Sequence, residues 1–419
     1  MQTRLADFIR DTAQGQEAEA ILRSCVHCGF CNATCPTYQL LGDELDGPRG
    51  RIYLMKQMLE GQPVGPVTRL HLDRCLSCRN CETTCPSGVQ YGRLIDIGRE
   101  VVEQLSPRPA AERLLRAGLR KGLQTPALFG PLLKMGQSVR GWLPGALREH
   151  LPVADAPGGA TPQFDIQDSP DAREASATLT RRMLVLEGCV QPNLAPETNA
   201  AARRVLGRLG IELVAAPNAG CCGAIDQHLA APDAAKAAMR RNIDAWWPFI
   251  QNGCEAIVMT ASGCGSLVKE YGHHLRHDEA YAEKAARVSA LTRDLSEVLH
   301  AEDLSALRPV RPRRIAFHPP CSLQHGQKLR GVIEAILSRA GFELLPVEEA
   351  HLCCGSAGTY SVLQPQLAGQ LRARKLSHLQ ARGPELIASA NIGCQSHLAA
   401  ASDVPVVHWI TLLDRPERG

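Results

Sequence analysis

Eight cysteines near the start of the chain repeat one spacing, C-x2-C-x2-C-x3-C-P: Cys25, Cys28, Cys31 and Cys35 before Pro36, then Cys75, Cys78, Cys81 and Cys85 before Pro86. Three thiolates on one such loop can hold three corners of a cubane iron–sulfur cluster, while the proline turns the fourth away. Where two of these motifs occur in one chain, the fourth cysteine ligates the other cluster. The spacing therefore predicts one [4Fe-4S] centre on Cys25, Cys28, Cys31 and Cys85, and a second on Cys75, Cys78, Cys81 and Cys35. The chemistry is one-electron transfer. Zinc ribbons use two cysteine pairs on a longer arm and need neither the third cysteine nor the proline.

Eight of the nine remaining cysteines form two matching sets about 130 residues apart: Cys189, Cys221, Cys222, Cys264 and Cys321, Cys353, Cys354, Cys394. In both sets 32 residues separate the first cysteine from a Cys-Cys-Gly step. An Arg pair and a short apolar run precede each first cysteine (Arg181-Arg182-MLVL and Arg313-Arg314-IAF), and each last cysteine follows nine residues after a Glu (Glu255, Glu385). A repeated pattern of this kind is a repeated structural unit. Both sets are candidate cofactor-binding residues, for a further iron–sulfur cluster or another metal, with buried or redox-active thiols as the alternative. Cys254 has no counterpart and reads as a core thiol. His318, His325, His351 and His397 lie near the second set; they read as ordinary hydrogen-bonded histidines, the alternatives being proton shuttles or replacement ligands.

The elements that must position these groups follow from periodicity. Residues 1–24 read as a helix entering the first cluster loop, with Leu5, Phe8 and Ile9 as its apolar stripe; Ile52, Leu54, Met55, Met58 and Leu59 mark a helix between the cluster loops, and 94–105 a third. Residues 1–105 are thus an α-helical ferredoxin domain. Residues 106–150 carry eight Arg or Lys against Glu112 and Glu149, with Phe129 and Trp142 interleaved. Such a basic amphipathic segment suits peripheral contact with an anionic membrane, packing on a neighbour, or a solvated face. Residues 151–180 are a Pro/Ala/Gly/Asp/Ser linker. Strands alternating with helices then give two cysteine-rich α/β modules, 181–305 and 306–419, with short parallel sheets. The fold class is α+β multidomain.

The whole chain has 419 residues, 17 cysteines and a net charge of +3. So small a charge gives no footprint for nucleic acid. The polar start MQTRLADFIRDTAQGQ is unlike an export signal, and no run of about eighteen apolar residues would span a bilayer. A cytoplasmic location is expected, on the inner face of the membrane if the basic segment docks there. Dense cysteine in a reducing compartment favours metal binding over disulfides.

The segments CVHCGFCNATCPTYQLLGDELDGPRGRIYL, CLSCRNCETTCPSG, NAGCCGAIDQHL, NIDAWWP, TASGCGSLVKEYG, HLCCGSAGTY and NIGCQSHLA closely resemble the iron–sulfur subunits of bacterial glycolate oxidase (glycolate dehydrogenase). The resemblance implies an electron-transfer subunit, flavin-containing partner subunits that oxidise glycolate to glyoxylate, and a quinone-like acceptor. More distant likenesses are the electron-transfer subunits of lactate and glycerol-3-phosphate dehydrogenases and heterodisulfide reductase. The last carries a fifth cysteine, C-x-x-C, at the end of its Cys-Cys-Gly pattern; here Gly263-Cys264 and Gly393-Cys394 leave four, which counts against disulfide chemistry. A non-catalytic metal-responsive binding protein fits less well with eight cluster-spaced ligands. No strand leads into G-x-G-x-x-G, so no flavin is expected on this chain and no catalytic residue for the hydroxy acid.

Overall fold

The computed structural model describes residues 1–138, 181–304 and 313–414, so the linker and Trp142 lie outside the described residues. The first hundred residues contain helices and no strands. Helix Pro48–Leu59 begins with proline at its first turn, where the missing N–H costs nothing, and buries Ile52, Met55, Met58 and Leu59. Those side chains meet Leu94, Ile95, Val101 and Val102 of helix Tyr91–Leu105 and Ile21 and Leu22 of helix Ala13–Ser24. This core lies behind the two cluster loops.

The expected single leading helix is two, Asp7–Arg10 and Ala13–Ser24. Thr12 caps the second by accepting from the Gly15 N–H, and Gly15 lets the Ile9 carbonyl approach where a Cβ would stand. The break turns Phe8 outward, 48 % exposed, while Leu5 and Ile9 stay buried.

The basic segment forms helices Ala110–Gln124 and Pro126–Ser138. Three of its charges are satisfied internally: Arg108 pairs with Asp73, Glu103 and Glu112, Arg116 with Asp73, and Arg120 with Asp226 in the first module. They tie the segment to its neighbours, which leaves Arg113 and Lys121 beside the exposed Leu114 and Leu115 on the outer side.

Each module holds a four-stranded, all-parallel sheet: β2-β1-β3-β4 from β1 (Arg181–Leu186), β2 (Ile211–Ala215), β3 (Ile257–Met259) and β4 (Thr292–Asp294), and β6-β5-β7-β8 from β5 (Arg314–His318), β6 (Glu343–Leu345), β7 (Leu386–Ser389) and β8 (Val406–His408). Strand alternation divides the apolar residues between two faces. Met183 and Val185 of β1 join Ile315 and Phe317 of β5 in one core shared by the modules, whereas Leu184 and Leu186 face an outer core with Trp246 and Tyr271. The modules are therefore halves of one body. Each central strand delivers its first cysteine at its carboxyl end, where loops of a parallel sheet gather.

Candidate metal centres

The two ferredoxin loops reach the same shape by different means. The residue four after the first cysteine adopts a left-handed conformation in both, Gly29 at φ 86° and Arg79 at φ 58°. Glycine enters this region without strain, whereas arginine must be held there. Arg79 is held by the carboxylate of Glu270 in the first module, with Nη2–Oε2 at 2.8 Å. At Gly29 a Cβ would stand 2.5 Å from Arg49 Nη1.

Cys25, Cys28, Cys31 and Cys85 line one cavity with Ile52 and Pro86, and Cys81 of the second group reaches its wall. Burial pushes the Cys31 thiol up to about 11, and the neighbouring Cys25, Cys85 and Cys28 add to the rise. Burial likewise raises Cys81, reinforced by Cys78, Cys75 and Cys35. The fourth cysteine of each motif thus stands with the first three of the other. Four thiolates so close repel one another, and an iron–sulfur core supplies the compensating positive charge, so the residues fit the clusters that their spacing predicts.

The surroundings differ. Cys28 is exposed, whereas Cys35, Cys75 and Cys81 are buried among donors. Arg51, fully buried, reaches Cys35 Sγ at 3.9 Å and Thr37 Oγ1 at 3.1 Å; Tyr91 Oη donates to Cys75 Sγ at 3.7 Å and the Ser77 N–H to the same sulfur at 3.4 Å. Sequence reasoning missed Arg51 and Tyr91, because nothing in their local pattern separates them from helix residues that merely pack.

In the modules, Cys189 and Cys321 follow the central strands, the Cys-Cys steps follow β2 and β6, and Cys264 and Cys394 sit in the first turns of helices Ser262–Val268 and Ile392–Ala399. Each set is brought together: Cys321 and Cys353 sulfurs are 3.9 Å apart, Cys354 hydrogen-bonds with Cys353 and Cys394, and Cys221 links Cys189 to Cys222. Gly223 and Gly355 are left-handed at φ 94° and 93°, which gives the Cys-Cys-Gly glycine its reason. All seventeen cysteines are free, and Cys254 is buried beside the Ala256 carbonyl, apart from both sets.

A cavity of about 550 Å³ lies where the ferredoxin domain meets both modules, lined by Cys75, Cys78, Cys189, Cys221, Cys264 and Cys321 among others. Cys78 packs with Leu76, Cys321, Cys353 and Tyr360. Polar contacts that hold the halves there include Arg79–Glu270, Gln227 Nε2 to Asp96 Oδ2 at 3.3 Å, Thr83 Oγ1 to His325 Nδ1 at 2.9 Å, and Asn80 Nδ2 to the His351 carbonyl at 3.3 Å. His325 Nε2 is occupied by that same His351 carbonyl at 2.9 Å, so neither of its ring nitrogens is left free for a ligand. Trp246 is wholly buried in the core, as a packing residue.

Comparison with known proteins agrees with this anatomy. Residues 21–89 match a family model described as a 4Fe-4S dicluster domain, and residues 183–269 and 315–399 each match the cysteine-rich domain that carries the Cys-Cys-Gly signature. The chain is 54 % identical over 415 residues to the glycolate oxidase iron-sulfur subunit of Escherichia coli (strain K12), with 99 % of both chains covered. It is 31 % identical over 400 residues to the probable glycolate oxidase iron-sulfur subunit of Bacillus subtilis (strain 168), covering 90 % of this chain and 88 % of that one. Lactate utilization protein A of Bacillus licheniformis is 28 % identical over 214 residues, 49 % of this chain and 85 % of its own length.

Proposed function

Because the chain belongs to the family of glycolate oxidase iron–sulfur subunits, we propose that it carries electrons from flavin-containing partner subunits, which convert glycolate to glyoxylate, to a quinone-like acceptor. Oxidation of glycolate releases two electrons and two protons; the [4Fe-4S] clusters, when bound, supply one-electron redox chemistry. The observation that carries the reading is the crossed grouping of eight thiols, of which Cys75 and Cys78 line a cavity walled by the modules. The lactate alternative rests on relatives that span only half of this chain. In this reading the hydroxy acid is bound and oxidised by the flavoprotein, and this chain carries the electrons away. The test is anaerobic co-purification with the flavoprotein and glycolate-dependent dye reduction. Equal dye reduction by the flavoprotein without this chain would sink the proposal.

The chain's own residues tune the two sites unequally. Donors to the sulfurs favour the reduced, more negative state. Tyr91→Phe, which deletes one donor to Cys75, should lower the midpoint potential of the second site by roughly 20–65 mV, equivalent to about 0.5–1.5 kcal/mol over one electron. The first site should not move. Redox titration followed by electron paramagnetic resonance reads both, and an equal shift at the two sites would contradict the assignment.

Among the described residues no helix is long and apolar enough to cross a membrane. Peripheral contact is assigned to the exposed outer face of helix Ala110–Gln124, where Leu114 and Leu115 lie beside Arg113 and Lys121. Changing both leucines to Glu should abolish flotation with anionic liposomes while leaving dye reduction intact. Undiminished flotation would rule this face out.

A further inference from the structure

In the second module a buried imidazole stands without a hydrogen-bond partner. His318 ends β5, is 1 % exposed, and neither Nδ1 nor Nε2 has a hydrogen-bond partner. Leaving a buried polar group unsatisfied costs about 1–3 kcal/mol. The fold does not demand an imidazole here: the corresponding position of the first module, likewise three residues before its first cysteine, is Leu186, buried in an apolar core. What distinguishes His318 is its neighbours. A ring nitrogen of His318 and the sulfurs of Cys354 and Cys394 all lie within 4.8 Å of one another, and all three residues are buried.

We propose that the second module holds a single zinc-class divalent ion on His318, Cys354 and Cys394, a site that the first module cannot form. Zinc takes imidazole nitrogen and thiolate sulfur together, at about 2.0–2.1 and 2.3 Å, in a tetrahedral shell. Convergence of three donors on one point suits one ion. A cubane spreads its ligands over separate irons, and among the described residues no three of the ferredoxin thiols come within 4.8 Å of one another. Among the described residues the only other such triad, Asp43, Asp46 and His71, is already engaged, since Asp46 pairs with Arg51, Arg74 and His71. Binding displaces the protons of Cys354 and Cys394 to solvent, and the dication balances the two thiolates. Cys353, hydrogen-bonded to Cys354, is the neighbouring candidate for the fourth position, and buried Lys375 supplies a cation for that third thiolate. Zinc has no accessible redox change. The site would therefore pin β5, the Cys-Cys step and helix Ile392–Ala399 together, and electrons would not pass through it.

The test is metal analysis and zinc X-ray absorption on the full-length protein in its purified complex. The expected result is one zinc per chain in a mixed nitrogen and sulfur shell. His318→Leu, which installs the residue of the first module, should reduce zinc occupancy at least tenfold with iron unchanged, and His318→Cys should retain it. The proposal is overturned by absence of zinc, by an all-sulfur shell, by full zinc in His318→Leu, or by extra iron that disappears in Cys354→Ser. The spectrum is taken on the unsubstituted protein, so it decides the question even if a variant fails to fold.

Discussion

Replacing Cys78 by Ala is expected to cut glycolate-dependent reduction of an external acceptor by roughly 100-fold or more, beyond the 10–100-fold typical of disturbing an outer-shell partner of a metal ligand. Glycolate should still bleach the partner flavin. Two features make Cys78 the informative choice. It is packed against Cys321 and Cys353 at the cavity, on the buried side of the ferredoxin domain, whereas Cys28 faces solvent. Burial also raises its thiol well above the usual range, with Cys321, Cys35 and Cys75 adding to the rise, so the free thiol is inert unless a metal draws off its proton. Cys254→Ala is the control. That side chain is buried but belongs to neither set, and its loss should leave electron transfer intact. Parallel loss of activity in both variants would mean that the cysteines act through general stability.

The largest stability effect is expected at the second Cys-Cys-Gly step. A Cβ on Gly355 would stand 2.7 Å from the Ala368 carbonyl oxygen and 2.9 Å from Leu371 Cβ, at a φ of 93°. The backbone conformation alone costs a non-glycine residue about 1–2 kcal/mol, and overpacking adds about 1–3 kcal/mol. Gly355→Ala should therefore destabilise the second module by roughly 2–5 kcal/mol. At Gly223 the nearest backbone atom, the Ala235 carbonyl oxygen, is 3.1 Å away, so Gly223→Ala should cost less. Chemical denaturation of the two variants gives the comparison. Equal destabilisation, or none at Gly355, would remove the steric explanation of this signature.

Much of this arrangement is legible in the sequence because cysteine is an unusual residue whose spacing carries geometry. The two ferredoxin motifs mark their own loops and the proline after each, and the matched 32-residue intervals mark two equivalent modules before any strand is assigned. What escaped is set by contacts between distant segments. β4 and β8 are only three residues long, too short for periodicity, and are recognised only by their pairing with β3 and β7. Arg108, Arg116 and Arg120 read as one basic face, yet their partners Asp73, Glu103, Glu112 and Asp226 lie on other elements or turns. Phe8 looks like a core residue until the break after Arg10 rotates it outward. His318 had one visible signal, the mismatch with Leu186 between otherwise parallel repeats. Its significance depends on the burial that leaves it unpartnered.

The central claim is that crossed thiols from the two motifs hold two clusters through which glycolate's electrons leave the complex. Its most direct test is anaerobic addition of glycolate to the purified complex, with flavin absorption and the paramagnetic signals of reduced [4Fe-4S] clusters followed together. The account predicts that two interacting cluster signals appear as the flavin is reoxidised and vanish when a quinone is added. A reduced flavin that persists beside clusters left oxidised would contradict it.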